Sequence, residues 1–310
     1  MTGEEGARVR VPATVANLGP GFDTLGLALD VFNEVELAVV GESEEPPEAG
    51  QAEVAVEGEG AEELPRDRRN RVVQAARLLW RRVRGTVPRV RARCVNRIPL
   101  RSGMGSSAAA AVAGLVAAHR LLGEPLGREE LLELACELEG HGDNAAPALT
   151  GGLTVVLPQG RQVIRLDPPA LDVAIALPHR RWSTQAARGV LPEAVSRQDA
   201  VFNVAGAAAL VASLVSGQLE FVRDAMADRL HQPYRLRHIP GAQAAFDAGL
   251  AAGAYGVALA GAGPAVMALT PPGQGEAVAQ AMARAFEAEG EGARALACRP
   301  SARGALDFEG

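Results

Sequence analysis

The 310-residue sequence contains no lysine, and all 31 of its basic residues are arginine. This absence excludes a P-loop NTPase, because the phosphate loop of that class ends in a lysine followed by Ser or Thr. Cysteine is also scarce. Cys94, Cys136 and Cys298 are far apart and lie in apolar surroundings, which favours reduced thiols in the core of a cytoplasmic protein over a disulfide framework or a zinc site.

Aromatic residues make up only 4% of the chain, and the net charge is −6. Both values argue against nucleic-acid binding, which needs basic surfaces and aromatic rings on which bases stack. No uninterrupted apolar run of about 18 residues is present, and the N-terminus is acidic, so we expect neither a membrane span nor a signal peptide. The composition, 48% hydrophobic and 22% charged, is that of a globular protein with one large or two modest domains.

Hydrophobic periodicity predicts an α+β mixture without the regular alternation of a doubly wound fold. Strands are predicted over 8–15, 27–40, 87–97, 151–157, 162–166, 172–177, 256–260, 265–269 and 293–297. Helices are predicted over 70–83, 106–122, 126–139, 199–216, 219–230, 241–251 and 274–288. The acidic segment 41–50 is predicted to be a surface hairpin loop. A boundary near 158 divides the chain into domains 1–158 and 159–310.

The segment 97–107 leads from a predicted strand into a buried alanine-rich helix. Gly103 and Gly105 permit unusual backbone angles and let main-chain N–H groups approach an anion. Ser106 and Ser107 can cap the helix or offer hydroxyls to a phosphate or a metal, and the helix N-terminus adds partial positive charge. A Rossmann fingerprint is excluded, since Ala108 stands where its third glycine would be. Taken alone, the segment fits a tight turn equally well.

The same segment resembles the ATP-binding motif of the GHMP kinase superfamily. Two positions depart from the family pattern, because Arg101 replaces a small residue and Met104 replaces leucine. An arginine there is expected near the phosphates or at the mouth of the cleft. The residues that the resemblance assigns to the nucleotide loop are Pro99, Leu100, Arg101, Ser102, Gly103, Met104, Gly105, Ser106, Ser107, Ala108 and Ala109.

Further segments, in order along almost the whole chain, resemble the homoserine kinase branch of this superfamily: residues 11–26, 136–148, 182–188, 231–235 and 260–265. The resemblance implies ATP- and Mg²⁺-dependent phosphorylation of the L-homoserine hydroxyl in threonine biosynthesis. It also implies a two-domain α+β fold, with an N-terminal domain like ribosomal protein S5 domain 2, a ferredoxin-like C-terminal domain and a cleft between them. Two alternatives remain open: another small-molecule kinase of the mevalonate or shikimate type, and a non-catalytic nucleotide sensor. A homodimer is compatible with the resemblance, and no nucleic acid or membrane partner is expected.

An amino-acid substrate needs a cationic group for its carboxylate, and the planar guanidinium of arginine can bind a carboxylate through two hydrogen bonds. The resemblance gives this role to Arg188 and Arg235. It places Asp23, with Asn17 and His141, at the ammonium group, and adds Thr184 and Gly261 to the substrate site. Asn144 is expected to hold the hydroxyl, while Asp143 orients it or weakly assists the reaction as a base.

The resemblance also assigns the groups that would face the nucleotide and its metal ion. Asn70 is expected to reach the adenine. Ser106 or Ser107 is expected to bind the metal together with Glu137. Because the segment between Glu137 and His141 is short, Glu133 and Glu139 remain alternatives for the metal-side carboxylate.

Overall fold

The computed structural model describes residues 6–41, 52–158, 160, 162–168 and 170–308. The strands of this part of the chain are β1 (Gly6–Ala16), β2 (Leu25–Gly41), β3 (Ala52–Gly58), β4 (Arg89–Asn96), β5 (Leu153–Val156), β6 (Val163–Leu166), β7 (Asp172–Pro178), β8 (Gly256–Leu259), β9 (Val266–Thr270) and β10 (Ala293–Cys298). The helices are α1 (Arg71–Arg84), α2 (Ser106–Leu121), α3 (Arg128–Glu139), α4 (Ala145–Thr150), α5 (Thr184–Gly189), α6 (Arg197–Ser216), α7 (Val222–Ala225), α8 (Gln232–Leu236), α9 (Ala242–Ala251) and α10 (Gly275–Ala288). Short 3₁₀ turns lie at Leu219–Phe221 and Ala305–Asp307.

The first sheet has the strand order β3-β4-β2-β5-β6, with β1 paired to β2. The long strand β2 joins the two halves of this sheet, because its residues 25–27 pair with β5 and its residues 34–41 pair with β4. Residues 6–11 of β1 alternate strictly between exposed and buried positions, which is the period of a strand with one face on a core. The helices α1 and α2 cover that core.

The helix α2 is buried on nearly all sides, which agrees with its sequence of alanine, valine and leucine. Gly114 lies where α2 touches α1, and a Cβ atom there would be only 2.1 Å from the Val72 carbonyl oxygen. The small residues of α2 therefore let two helices and a sheet pack at close range, and they fix the N-terminus of α2 relative to the rest of the domain.

The second sheet has four antiparallel strands in the order β10-β7-β9-β8. Helices α9 and α10 pack against it and form a separate apolar core around Phe286, Met282 and Val257. Two sheets with helices on their faces confirm the predicted α+β class.

Strand pairing moves the division between the two sheets past the predicted boundary at 158. β6 pairs with β5 and so belongs to the first sheet. The C-terminal segment also returns to that sheet, where the Ser301 N–H donates to the Ala28 carbonyl and the Gly152 N–H donates to the Ser301 carbonyl. Along the sequence, the second sheet and its helices therefore lie between two segments that both belong to the first sheet. The domain bounds 1–158 and 159–310 therefore stay a prediction.

One other expectation needs correction, and some elements were missed. The predicted helix 219–230 is broken into a 3₁₀ turn and the single turn of α7. After α7 ends at Ala225, the Asp228 carboxylate begins a new turn by accepting hydrogen bonds from the N–H groups of Leu230, His231 and Gln232. β3 was not predicted at all. The acidic loop predicted over 41–50 lies outside the described residues except for Gly41, which ends β2.

Candidate active site

A cleft of about 280 Å³ lies between the two sheet units. The following residues of the predicted site line it: Asn17, Asp23, Arg101, Ser102, Gly103, Gly105, Ser106, Ser107, Ala108, His141, Asp143, Asn144, Thr184, Arg188, Arg235 and Gly261. The remaining predicted residues, Asn70, Pro99, Leu100, Met104, Ala109 and Glu137, are not part of its lining. Segments far apart in the sequence therefore meet in one cavity.

The nucleotide loop has the backbone that its glycines predict. Gly103 and Gly105 have φ values of 86° and 68°, in the left-handed region that favours glycine. A Cβ atom would lie 1.9 Å from the Ala260 carbonyl oxygen at position 103, and equally close to Thr14 Oγ1 at position 105. Gly105 precedes α2 and offers no side-chain cap. The first N–H groups of α2 are therefore free of a side-chain cap and suited to an anion.

The structure shows the contacts of three residues that are expected at the nucleotide. The Met104 side chain is fully buried and belongs to the core. Asn70 caps α1, because its Oδ1 accepts from the Val72 N–H and its Nδ2 donates to the Pro65 carbonyl. Arg101, with a φ of 53°, lies at the mouth of the cleft, where its Nη2 is 3.8 Å from Glu63 Oε2.

The carboxylate nearest to the loop serines belongs to Glu139. Ser107 Oγ donates to Glu139 Oε1 at 3.0 Å, and Arg71 Nη2 pairs with the same oxygen at 2.5 Å. Glu137 is exposed and lines a different depression, on the side of α3 that carries Glu133. Of the three glutamates that the sequence left as candidates, Glu139 is therefore the one that contacts a loop serine, and its role as a metal ligand stays a proposal. Residues two apart on a helix project about 200° from each other, so only one of the two can face the loop.

The segment after α3 brings His141, Asp143 and Asn144 to the middle of the cleft. The buried Asp143 carboxylate forms a short hydrogen bond with His141 Nδ1 and accepts the Asn144 N–H at 3.0 Å. The hydrogen bond to Asp143 raises the pKa of His141, although burial opposes this shift. Asn144 Oδ1 accepts a hydrogen bond from Thr14 Oγ1 at 2.7 Å.

At the other end of the cleft, Asp23 and Arg188 form a two-pronged ion pair with distances of 2.7 and 3.0 Å. The hydrogen bonds with Asp23 raise the pKa of Arg188. Asn17 fixes the Asp23 loop, since its Oδ1 accepts from the Asp23 N–H and its Nδ2 donates to the Gly261 carbonyl. The predicted carboxylate-binding and ammonium-binding groups therefore contact each other directly.

Arg235 is 2% exposed, and the Nε and Nη1 atoms of its guanidinium contact other protein groups. Its Nε donates to the Ala187 carbonyl, and its Nη1 lies within hydrogen-bonding distance of His231 Nδ1 and the Gly261 carbonyl. Burial lowers its pKa to about 10. Within the described part of the chain, Nη2 is the donor left for a ligand in the cleft.

Three contributors were missed by the sequence analysis. Phe22 lies beneath Arg188 and Arg235, whose Cζ atoms are 5.6 and 5.4 Å from its ring centroid. His231 is fully buried, and its Nε2 is 2.8 Å from the Gly19 carbonyl oxygen. It therefore links Arg235 to the segment 11–26. Thr14 is the third. Phe22 and His231 lie inside segments that carried the resemblance, so their positions were visible but their contacts were not.

Comparison with known proteins agrees with this geometry. The GHMP kinases N terminal domain matches residues 70–152, and the GHMP kinases C terminal domain matches residues 210–288. The homoserine kinase of Moorella thermoacetica is 46% identical over 286 residues, covering 91% of this chain and 93% of that protein. The homoserine kinase of Carboxydothermus hydrogenoformans is 42% identical over 302 residues, covering 97% and 96%.

Solved structures give the same result. The crystal structure of homoserine kinase from Cytophaga hutchinsonii superimposes with a TM-score of 0.86 at 31% identity and covers 98% of both chains. The crystal structure of L. major mevalonate kinase in complex with R-mevalonate superimposes with a TM-score of 0.69 at 17% identity, which shows the shared fold alone. With relatives above 40% identity over nine tenths of its length, this chain belongs to the homoserine kinases of the GHMP kinase family.

Proposed function

We propose that this protein transfers the γ-phosphoryl group of ATP to the hydroxyl of L-homoserine, giving O-phospho-L-homoserine and ADP for threonine biosynthesis. The observation that carries the proposal is the order of groups along one cleft. The pair of Asp23 and Arg188 lies at one end, the nucleotide loop lies at the other, and Asn144 lies between them. A short amino acid with a terminal hydroxyl matches this order.

The ion pair of Asp23 and Arg188 gives the substrate end its chemistry. A zwitterionic amino acid carries both charges that this pair contains, so its ammonium can take Asp23 while its carboxylate takes Arg188. Nη2 of Arg235 is a second hydrogen-bond donor for the carboxylate of the substrate. The ring of Phe22 packs against the guanidinium groups of Arg188 and Arg235. Mevalonate and shikimate have a carboxylate but no ammonium, so binding of that carboxylate to Arg188 would take the cation away from Asp23 without replacing it. Galactose has neither group and matches neither half of the pair.

The reacting hydroxyl would lie beside Asn144, whose position depends on α4 and on Asp143. We assign Asp143 an orienting role, because its buried carboxylate already accepts hydrogen bonds from His141 and from the Asn144 N–H. Phosphoryl transfer passes through a loose transition state and depends mainly on alignment and charge stabilisation. Orientation of the acceptor by these residues is consistent with that requirement.

At the phosphate end, the uncapped N–H groups of α2 and the backbone of the nucleotide loop suit the triphosphate. Ser106, Ser107 and Glu139 offer the hard oxygen ligands that Mg²⁺ prefers. The hydrogen bonds of Glu139 with Arg71 and Ser107 use Oε1, so we assign Oε2 to the cation. Bound there, Mg²⁺ would neutralise charge on the phosphates.

A coupled assay of ADP release tests the function directly. The panel of acceptors is L-homoserine, mevalonate, shikimate and galactose, each with ATP and Mg²⁺. Turnover on L-homoserine alone is expected, and turnover on another acceptor would contradict the proposal. Binding of ATP without turnover on any acceptor would instead favour a nucleotide sensor.

The variant Arg188→Met sharpens this assay because it removes one half of the substrate-end ion pair. It is expected to raise the KM for L-homoserine by about 10-fold or more with little change in the KM for ATP. Arg180→Met is the matched control, since Arg180 pairs with Glu291 on the surface. Equal effects of the two variants would argue against the substrate site.

We further propose that the protein is a cytoplasmic homodimer. Among the described helices, α6 is the one that is long and apolar enough to cross a membrane by length and composition, and only 22% of its most apolar window is buried. One such helix does not by itself make a membrane span, and exposed apolar residues on its surface can instead be covered by another protein chain. Val201 and Val204 on α6 are 61% and 71% exposed, and Phe221 extends the apolar face beyond its end. A second copy of the chain is the partner that this face fits.

A further inference from the structure

Thr14 is a polar residue in the buried part of β1, between Ala13 and Val15, and its exposed fraction is zero. Such a hydroxyl is costly to bury unless it forms a hydrogen bond. It donates from Oγ1 to Asn144 Oδ1 at 2.7 Å, across 130 positions of sequence. The Thr14 N–H donates to the Met104 carbonyl at 3.2 Å. One residue of the sheet thus contacts both the nucleotide loop and the residue beside the acceptor hydroxyl.

The hydrogen bond of Thr14 has a consequence for the orientation of Asn144. An asparagine amide has a carbonyl end that accepts and an NH₂ end that donates. Because Oδ1 accepts from Thr14, Nδ2 is turned toward the cleft that Asn144 lines. Asn144 therefore presents a donor, rather than an acceptor, to a ligand oxygen.

Gly105 brings the nucleotide loop into direct contact with this pair. A Cβ atom at position 105 would lie 1.9 Å from Thr14 Oγ1 and 2.9 Å from Asn144 Oδ1. The N-terminus of α2, where the phosphates are expected, is thus in van der Waals contact with the two residues that fix the acceptor side.

We propose that Thr14 is a positioning residue for phosphoryl transfer. It sets the orientation of the Asn144 amide and keeps it in register with the nucleotide loop, so that the acceptor oxygen and the transferred phosphoryl group meet at the right distance. This inference rests on the proposed function, because Asn144 acts on the acceptor hydroxyl only in a kinase. A misplacement of about 1 Å at such a site can cost roughly 100-fold in rate, which sets the scale of the expected effect.

The test compares Thr14→Val, which keeps the shape and removes the hydroxyl, with Thr14→Ser, which keeps the hydroxyl. Thr14→Val is expected to lower kcat by about 10- to 100-fold, with the KM values for ATP and L-homoserine within about threefold of those of the parent protein. Thr14→Ser is expected to keep kcat within about threefold, although it loses a buried methyl group and should melt at a lower temperature. A kcat for Thr14→Val within twofold of the parent value would overturn the proposal, as would an equal loss in Thr14→Ser.

A double-mutant cycle separates positioning from a general loss of structure. If Thr14 acts through Asn144, Thr14→Val should have little further effect on kcat in an Asn144→Ala background. Additive losses in kcat would show that Thr14 acts independently and would contradict the proposal. If Thr14→Val does not fold, as judged by circular dichroism, the comparison of Thr14→Ala with Thr14→Ser takes its place with the same criteria.

Failure of the proposed function would be recognised separately. It would appear as absence of turnover on L-homoserine in the unsubstituted protein, before any variant is compared. If that protein turned over another acceptor of the panel, the same ratio of kcat values would be measured with that acceptor. The role of Thr14 is supported or contradicted by that ratio together with the double-mutant cycle, whichever acceptor is used.

Discussion

At the scale of single residues, the role proposed for Glu139 can be tested by one substitution. Its carboxylate joins Arg71 of α1 to Ser107 of the nucleotide loop, and it is the metal-side carboxylate that we propose. Glu139→Gln keeps the size and removes the charge. It is expected to raise the concentration of Mg²⁺ needed for half-maximal activity by about 10-fold or more and to lower kcat, because an uncharged amide is a poor ligand for a hard cation.

Glu137→Gln is the matched control for this prediction. It changes the same residue type in the same turn of α3, but Glu137 is exposed and faces away from the cleft. The Mg²⁺ titration of this variant should overlay that of the parent protein. If Glu137→Gln were the more damaging of the two, the original assignment from the sequence would be correct and the geometric one wrong.

The sequence could identify most of the site but not how its residues contact one another. The resemblance assigned Asp23, Arg188 and Arg235, and all three line the cleft. It could not distinguish Glu137 from Glu139, because the short connection to His141 left the alignment open by two positions. Thr14 carried no signal of its own either, since a threonine in a strand is ordinary by propensity. Its importance depends on a contact with a residue 130 positions away.

At the scale of elements, the close packing of α1 and α2 depends on Gly114. Gly114→Ala is expected to destabilise the protein by about 1–3 kcal/mol, because the new methyl group would overlap the Val72 carbonyl oxygen, a backbone atom that cannot rotate away. Chemical denaturation monitored by circular dichroism would measure the change. Gly189→Ala is the control, since no atom lies within 4 Å of its added Cβ. A Gly114→Ala variant as stable as this control would contradict the packing argument.

The helix α2 also carries a buried histidine, His119, whose Nδ1 has no hydrogen-bond partner within the described part of the chain. His119 is 5% exposed, and burial lowers its pKa from the usual value of 6.5. The unfolded chain therefore binds a proton near pH 6.5 that the folded chain does not, and the free energy of unfolding should decrease as the pH falls below that value. In His119→Leu this decrease should be shallower, by at most about 1.4 kcal/mol per pH unit. Identical slopes in urea denaturation between pH 7 and 5 would contradict the prediction.

Periodicity predicted the elements that are long and strongly patterned, and it failed where side chains ended an element. The helices α1, α3 and α10 and most strands follow their predicted ranges within a few residues. The predicted helix 219–230 was wrong because Asp228 accepts hydrogen bonds from three following N–H groups and begins a new turn there. Such a cap competes with the helix through one carboxylate, and hydrophobic spacing carries no information about it.

At the scale of the whole molecule, the cleft is built from both sheet units, and the chain ties them together in several places. The C-terminal segment returns to the first sheet through Ser301. Across the mouth of the cleft, Arg181 pairs with Glu63, which also faces Arg101. Asn17 of the first unit reaches Gly261 of the second. The substrate-binding groups therefore depend on the relative position of the two units, and no single domain contains a complete site.

The apolar face of α6 makes a prediction about assembly. A second copy packed on this face would remove Val201, Val204 and Phe221 from water, and burial of such apolar area is the main driving force of association. In sedimentation equilibrium the protein is expected at twice the 32.1 kDa of one chain. Val204→Glu should shift it to the mass of one chain, because a carboxylate would be buried without a partner.

Ile164→Glu is the control for this substitution. Ile164 is 50% exposed, and it lies on the edge strand β6 of the other sheet. Ile164→Glu makes the same change in charge and hydropathy without altering α6. It should therefore leave the dimer intact. A parent protein that sediments as a single chain would contradict the homodimer. A dimer that survives Val204→Glu but dissociates in Ile164→Glu would place the interface on the first sheet instead.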